Sequence, residues 1–215
     1  MGAQPVMVIL AAGASQRLGQ PKALVDLHGS TPLELLQQAW RSAAGTRADS
    51  IVVTGADHAP IAAACGSRME LLHNPQWSAG RTGGLALAAQ RWPGRDLLVA
   101  PVDCPLVPTQ VFCILLQRWQ ELGAPDWGFL TPFVVLEGQP KRFGHPVVVG
   151  KGMLAQLPAF DPGTSLRDLR DAATPLARVA VSHREILDNL DTPEALIELQ
   201  KAASSDRSRD RTHLP

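Results

Sequence analysis

Two cations, Arg17 and Lys22, stand a short reach beyond a run of small residues: Ala11, Ala12, Gly13, Ala14 and Ser15. Small side chains leave backbone N–H groups open and let a ligand approach the main chain closely. With two positive charges beside them, such a loop is suited to hold a polyphosphate. The loop needs a fixed support, and Val6–Leu10 stands directly before it. This continuous apolar run is rich in β-branched residues and reads as a strand buried on both faces. Two common phosphate loops do not match. The G-x-x-x-x-G-K-[ST] pattern fails because five residues separate Gly13 from Gly19 and Lys22 follows Pro21. The G-x-G-x-x-G fingerprint of dinucleotide-binding domains is absent.

What the loop does match is a longer pattern. Leu10-Ala-Ala-Gly-Ala-Ser-Gln-Arg-Leu-Gly-Gln-Pro-Lys22 resembles the L-A-A-G-x-S-x-R-[LMF]-G-x-x-K signature of the MobA/MocA-like nucleotidyltransferases, which have a GT-A-like fold. Four further elements carry the resemblance to about residue 196. Asn74, Trp77 and Gly80 fit N-x-x-[WF]-x-x-G, whereas the serine expected in the turn that follows is replaced in the Gly83-Gly84 region. Asp103-Cys104-Pro105 is similar to the family's D-x-P element, and Gly144-His145-Pro146 to the G-H-P element of its MocA-like branch. Asn189-Leu-Asp191-Thr-Pro-Glu194 resembles the closing D-[IV]-[DN]-T-P-E, with Asn189 in place of the first Asp. Asp161-Pro162-Gly163 loosely resembles a G-D-x-G-x-R element.

The resemblance implies an enzyme, a nucleotidyltransferase. An NTP would lie over Leu10, Ala11, Ala12 and Gly13, with Asn74, Gly80 and Gly84 as further nucleotide contacts. Arg17, Lys22 and Asp103 would be the catalytic groups, the two cations neutralising the phosphates. Asp103 and Asp191, with Asp188 as a substitute, would hold Mg²⁺, a hard cation that takes oxygen ligands. His145 would meet the acceptor, and Lys141, Arg142 and Lys151 nearby would suit an anionic one. An acceptor phosphate would attack the α-phosphorus and pyrophosphate would leave, with no covalent nucleophile and no general base. Ala-Ala-Gly at 11–13 and the G-H-P element resemble the cytidylyltransferase side, so the implied substrates are CTP and molybdopterin–molybdenum. A molybdoenzyme or its maturation chaperone would receive the product. Guanylyl transfer, a sugar-phosphate or other small-phosphate acceptor, and a non-catalytic nucleotide-binding role in cofactor delivery stay open. Taken singly, the same residues have plainer readings. Asp103 fits a turn or helix cap, Trp77 a core aromatic, and His145 a structural histidine. Asp191 fits a charge that favours a helix N-terminus.

Composition narrows the field. Twenty basic and twenty acidic residues balance, so no nucleic-acid footprint covers the surface and an anionic ligand must be met by a local cluster. No apolar run is long enough to span a membrane. Nor does the N-terminal stretch read as a signal peptide, and a cytoplasmic location is expected. Cys65, Cys104 and Cys113 are odd in number and lack C-x-x-C spacing, which favours free thiols over a zinc site. Tyrosine is absent, which excludes tyrosine-based acid catalysis.

The remaining elements are those that must position these groups. Thr31, Pro32 and Glu34 predict a capped helix start, with Leu33, Leu36, Ala39 and Trp40 on one face and a stop at Gly45. Strands are expected at 50–54, 69–73, 96–102, 128–136 and 179–181, and another after Pro146. Helices are expected at 60–65, 85–90, 108–121, 153–157 and 166–173, and from Pro193 to about Ala203. Ser165 and Thr192 read as helix caps. The alternation predicts an α/β, three-layer Rossmann-like fold of the GT-A type with a mixed, mostly parallel sheet. Residues 1–203 form one domain in this reading, and 204–215, polar and aperiodic, a disordered tail.

Overall fold

The computed structural model describes residues 3–157 and 165–210. Its strands are β1 (Val6–Ala11), β2 (Ser50–Thr54), β3 (Leu71–His73), β4 (Leu97–Pro101), β5 (Phe129–Val134), β6 (Arg142–Phe143), β7 (Val147–Val149) and β8 (Leu176–Ala180). Its α-helices are α1 (Pro32–Ala44), α2 (His58–Cys65), α3 (Arg81–Arg91), α4 (Thr109–Glu121), α5 (Lys151–Gln156), α6 (Leu166–Asp171) and α7 (Pro193–Asp210).

β1 is central because it is apolar on both sides. Met7, Ile9 and Ala11 enter one core with Leu33, Trp40, Phe112 and Trp119; Val6 and Val8 enter a second with Leu85, Phe129, Met153 and Leu169. The sheet between these cores is the middle of three layers. β1 pairs in parallel with β2 and β4, and β2 with β3. β7 then runs antiparallel between β4 and β5, and β8 lies parallel to β5. The sheet is therefore mixed and mostly parallel, as expected. A third cluster, Leu18, Val25, Leu27, Leu190 and Leu199, ties the loop after β1 to α7.

Local chemistry sets the helix starts. The Thr31 hydroxyl accepts from the Glu34 N–H at 3.3 Å, the Glu34 carboxylate accepts from the Thr31 N–H at 2.9 Å, and Pro32 fills the first position. Trp40 on this helix is fully buried, edge-on to Phe112 at 6.1 Å between ring centroids. Truncating it to Ala costs about 3–5 kcal/mol. Ser165 caps α6 through Asp168 in the same manner, and the Thr192 hydroxyl accepts from the Ala195 N–H at 3.2 Å.

Some boundaries differ from the sequence reading. α3 starts at Arg81 rather than at 85, because Gly83 and Gly84 sit inside the helix. Gly84 faces β2, where an added Cβ would come within 2.8 Å of Val53 Cγ1, so a glycine usually read as a breaker here permits close helix–sheet packing. Arg142–Phe143, for which no strand was expected, pair with the end of β5. α7 runs to Asp210, past the expected end near Ala203, and residues 211–215 lie outside the described set, as does the Asp161-Pro162-Gly163 element. The three cysteines are free thiols, Cys65 and Cys104 buried and Cys113 exposed. Among the described residues, no helix is long and apolar enough to cross a membrane.

Candidate active site

The C-terminal ends of β1, β2 and β4 open onto a cavity of about 290 Å³. Ligands of open α/β sheets collect at this edge. Leu10, Ala11, Ala12, Gly13 and Lys22 line it from the first loop; Asn74, Gly80 and Gly84 line it from the β3–α3 connection; Asp103 and His145 also line it. Residues drawn from widely separated patches of sequence thus share one cleft. Arg17 and Asp191 do not line the cavity itself.

The loop after β1 has its own framework. Ser15 takes a left-handed backbone, with φ 51°, and its carbonyl accepts from the Leu18 and Gly19 N–H groups. Its hydroxyl accepts from the Lys22 N–H at 3.1 Å and donates to Asp57 at 3.3 Å. Both cations then converge on one carboxylate. Lys22 Nζ lies 2.6 Å from Asp191 Oδ1 and Arg17 Nη2 lies 2.7 Å from Asp191 Oδ2. Burial disfavours the charged Asp191. The Lys22 hydrogen bond and charge, with the Arg17 charge, outweigh it and hold the carboxyl below its ordinary value. Lys22 is mostly buried in this pair, whereas Arg17 reaches it from the surface.

The β3–α3 connection presents backbone to the cleft. Asn74 is buried, and its Oδ1 accepts from the Gln76 N–H at 3.1 Å, which fixes the turn. Gly80 is the N-cap of α3, with no side-chain cap and no acidic residue in the first turn, and a helix start of this kind suits an anion. Where the serine of the signature is missing, a Cβ on Gly83 would meet only Asn74 Nδ2, at 3.6 Å. A serine fits at 83 and does not fit at 84. Trp77 is half-buried and lines the cleft, so it serves the site wall.

Asp103 stands just beyond β4, where the Leu190 N–H donates to its carbonyl at 2.9 Å and docks the closing motif on this strand end. The neighbouring Cys104 thiol donates to the Asp188 carbonyl at 3.0 Å. Asp188 Oδ2 is buried without a hydrogen-bond partner. Burial, with the Glu185 charge adding and the Arg184 charge opposing, pushes its carboxyl up to about 6. Among the described residues, no group of three or more His, Cys, Asp or Glu side chains is arranged to hold a metal ion.

His145 reaches the cleft through an irregular edge. Phe133 opposes Phe143 while Leu130 opposes Val148, so three steps along β5 match five along β6–β7. The bulge is Gly144-His145-Pro146, and its His145–Pro146 peptide is cis. A Cβ on Gly144 would collide with the Ile186 carbonyl, which accepts from the His145 N–H at 3.0 Å. Glycine is required there for the bulge to seat against the Arg184–Leu187 turn.

Asp57, Ser78 and Leu166 also line the cleft and were not chosen from sequence. Asp57 had a usable signal, its place directly after a buried strand; the other two had none.

A family model described as a MobA-like NTP transferase domain matches residues 7–179. A molybdenum cofactor guanylyltransferase of Xanthomonas euvesicatoria pv. vesicatoria is 37% identical over 112 residues, 51% of this chain and 52% of that protein. The chain therefore spans about half the length of the curated relative it matches. Rv0371c of Mycobacterium tuberculosis superposes with a TM-score of 0.75 at 23% identity, covering 94% of this chain and 99% of that one; it is also known as a manganese complex, TM-score 0.70, 21% identity, coverage 93% and 100%. A molybdopterin-guanine dinucleotide biosynthesis protein A from Archaeoglobus fulgidus gives a TM-score of 0.66 at 17% identity, covering 93% and 98%. These structural likenesses carry the fold, and the match over 7–179 carries the family: the chain belongs to the MobA-like NTP transferase domain family.

Proposed function

We propose that the protein transfers a nucleotidyl group from an NTP to the phosphate of a molybdopterin-type acceptor and releases pyrophosphate. The observation that carries this reading is the convergence of the β1 loop, the α3 start, Asp103 and His145 on one cleft. Leu10–Gly13 hold the nucleoside end, and the N–H groups at the start of α3 take phosphate oxygens. Lys22 and Arg17 are held close by on Asp191. The more highly charged triphosphate competes with that carboxylate for them. An acceptor phosphate is already ionised near neutrality, so positioning and charge neutralisation supply the acceleration.

A divalent cation fits this donor set. Magnesium keeps few protein ligands and completes its shell with phosphate oxygens and water. Asp103 supplies a hard oxygen ligand inside the cleft. Asp191 becomes available as a second one when the triphosphate draws Lys22 and Arg17 away. The ion would neutralise charge that develops on the phosphates.

CTP is the favoured nucleotide. Ala-Ala-Gly at 11–13, which lines the cavity, and the G-H-P element resemble the cytidylyltransferase side of the family. A second reading, GTP, is favoured by the name of the Xanthomonas relative. The deciding measurement is pyrophosphate release with Mg²⁺ and each NTP, with and without molybdenum-loaded molybdopterin. Acceptor-dependent release with CTP is expected. Release with GTP alone transfers the reading to guanylyl transfer, and release with no NTP removes it.

A further inference from the structure

His145, which lines the cleft, is joined through Gly144 to β6. On the face of the sheet that carries Leu10, Ala12 and Val53, β7 follows β4, and beyond it stands β5, which pairs with β6 and β8. Near α6 this face is covered: Phe129 and Leu176 pack with Leu169. Towards the ends of β5 and β6 it opens, and Phe143 is 44% exposed and Val135 62% exposed. Phe133 and Phe143, paired across β5 and β6, form a tilted ring pair at 5.9 Å. Lys141 Nζ stands 4.8 Å from the centre of the Phe133 ring. The Arg178 guanidinium reaches across from β8 to stand 5.6 Å from the centre of the Phe143 ring. An exposed third cation, Arg142, lies between Lys141 and Phe143 in the chain.

How these cations are held matters. Lys22 and Arg17 are each matched to a carboxylate. Among the described residues, no acidic side chain forms an ion pair with Lys141, Arg142 or Arg178. A ring face positions a cation and leaves its charge intact. The result is a pre-organised surface of π faces and uncompensated positive charge, two residues along the chain from a residue that lines the cleft. Such a surface recognises a planar heteroaromatic ring that carries anionic groups.

We infer that the Phe133–Phe143 pair with Lys141 and Arg178 is the platform for the non-reacting, planar end of the acceptor, whose phosphate lies in the cleft near His145 and Asp103. This rests on the transfer reaction proposed above. The platform acts on acceptor affinity and leaves the nucleotide site untouched.

The test compares wild type with Phe143→Ala, Phe143→Trp and the double variant Lys141→Ala/Arg178→Ala. Steady-state kinetics are measured against the NTP and against molybdenum-loaded molybdopterin, with direct binding of the same pterin, without NTP, by fluorescence quenching. Stacking on one aromatic side chain is worth about tenfold or more in affinity. Phe143→Ala and the double variant are expected to raise the acceptor KM and the pterin Kd by about tenfold or more, with the NTP KM and Tm unchanged. Phe143→Trp should keep wild-type values. Unchanged acceptor KM and Kd in the alanine variants overturn the platform while leaving the transfer reaction standing. A wild type that binds the pterin but releases no pyrophosphate overturns the reaction, and the Kd series still decides the platform. A wild type that binds no pterin overturns both. Loss of a dimer in Phe143→Ala, with acceptor binding unchanged, assigns the patch to a second copy and overturns the proposal.

Discussion

β4 carries an aspartate just outside each of its ends, and the two have opposite surroundings. Asp96, at the N-terminal end, is buried; one oxygen accepts from Trp119 Nε1 at 2.9 Å and the other from the Lys151 N–H at 2.9 Å. Asp103, at the C-terminal end, lines the cleft. The first carboxylate has its partners inside the fold, so its charge serves packing. The second lines the cavity, with the Cys104 thiol donating to its Oδ1 at 3.8 Å, and under the proposed reaction its charge serves a ligand. The same contrast holds for the cations: Arg95 at the N-terminal edge is tied to Asp49 and to the Gln4 carbonyl, while Lys22 and Arg17 stand together beside the cleft. Residue type alone does not separate the structural edge from the chemical edge; the partners do.

The largest effect should come from Asp103. Asp103→Ala is expected to reduce transfer by a factor of about 10³ or more, equivalent to about 4 kcal/mol of barrier, with little change in Tm. Pyrophosphate release and a thermal melt on the same sample check this. Normal turnover in the variant would erase the distinction between the two aspartates.

Asp96→Ala is the mirror experiment. It strips a buried indole N–H and a part-buried backbone N–H of their acceptor, at a cost of about 3 kcal/mol in stability. Denaturant unfolding should show the loss, while kcat of the folded fraction stays near wild type. A loss of activity larger than the loss of folded protein would place chemistry at the wrong end of the strand.

Lys22→Ala should come next, raising the NTP KM about tenfold or more, since a charge-assisted hydrogen bond to phosphate contributes about 1.5–3 kcal/mol. The variant also leaves Asp191 with Arg17 and the Asn189 side chain, so its carboxyl should move back up. An unchanged NTP KM would mean that Lys22 is only the partner of Asp191.

Much of this asymmetry was legible in the chain. β1 was legible because an apolar run on both faces has few other uses. The starts of α1, α6 and α7 were legible because Thr31, Ser165 and Thr192 cap by local hydrogen bonds. The first loop, Asn74, Gly80, Asp103 and His145 were picked out by separate patches of the family resemblance, and the fold brings them to one cleft. What escaped depends on contacts distant in sequence. The early start of α3 hinges on Gly84 against Val53. The β6 edge needs β5 beside it. The meeting of Arg17 and Lys22 on Asp191 spans most of the chain.

Asp188 tests the comparison from a third position. It lies at the chemical edge, yet its buried Oδ2 has neither a partner nor an assigned ligand. Its carboxyl is raised to about 6, above the ordinary 3.8. Burial therefore penalises the ionised form. The penalty is absent below the unfolded value, grows as pH rises through the window from the ordinary value to the raised one, and is constant above it. Asp188→Asn removes both the buried charge and its repulsion with Glu185. The shift bounds the gain at about 3 kcal/mol, and partial exposure reduces it to about 1–2 kcal/mol at pH 7.5, vanishing towards pH 3.5. Urea unfolding across that range measures it, with transfer assayed in parallel. A gain in stability with activity intact makes Asp188 a cost of fitting the closing motif against Cys104. A gain in stability with activity lost makes it a second Asp103, destabilising because it is kept for a ligand. No gain at pH 7.5 would show that its charge is matched within the fold, as that of Asp96 is.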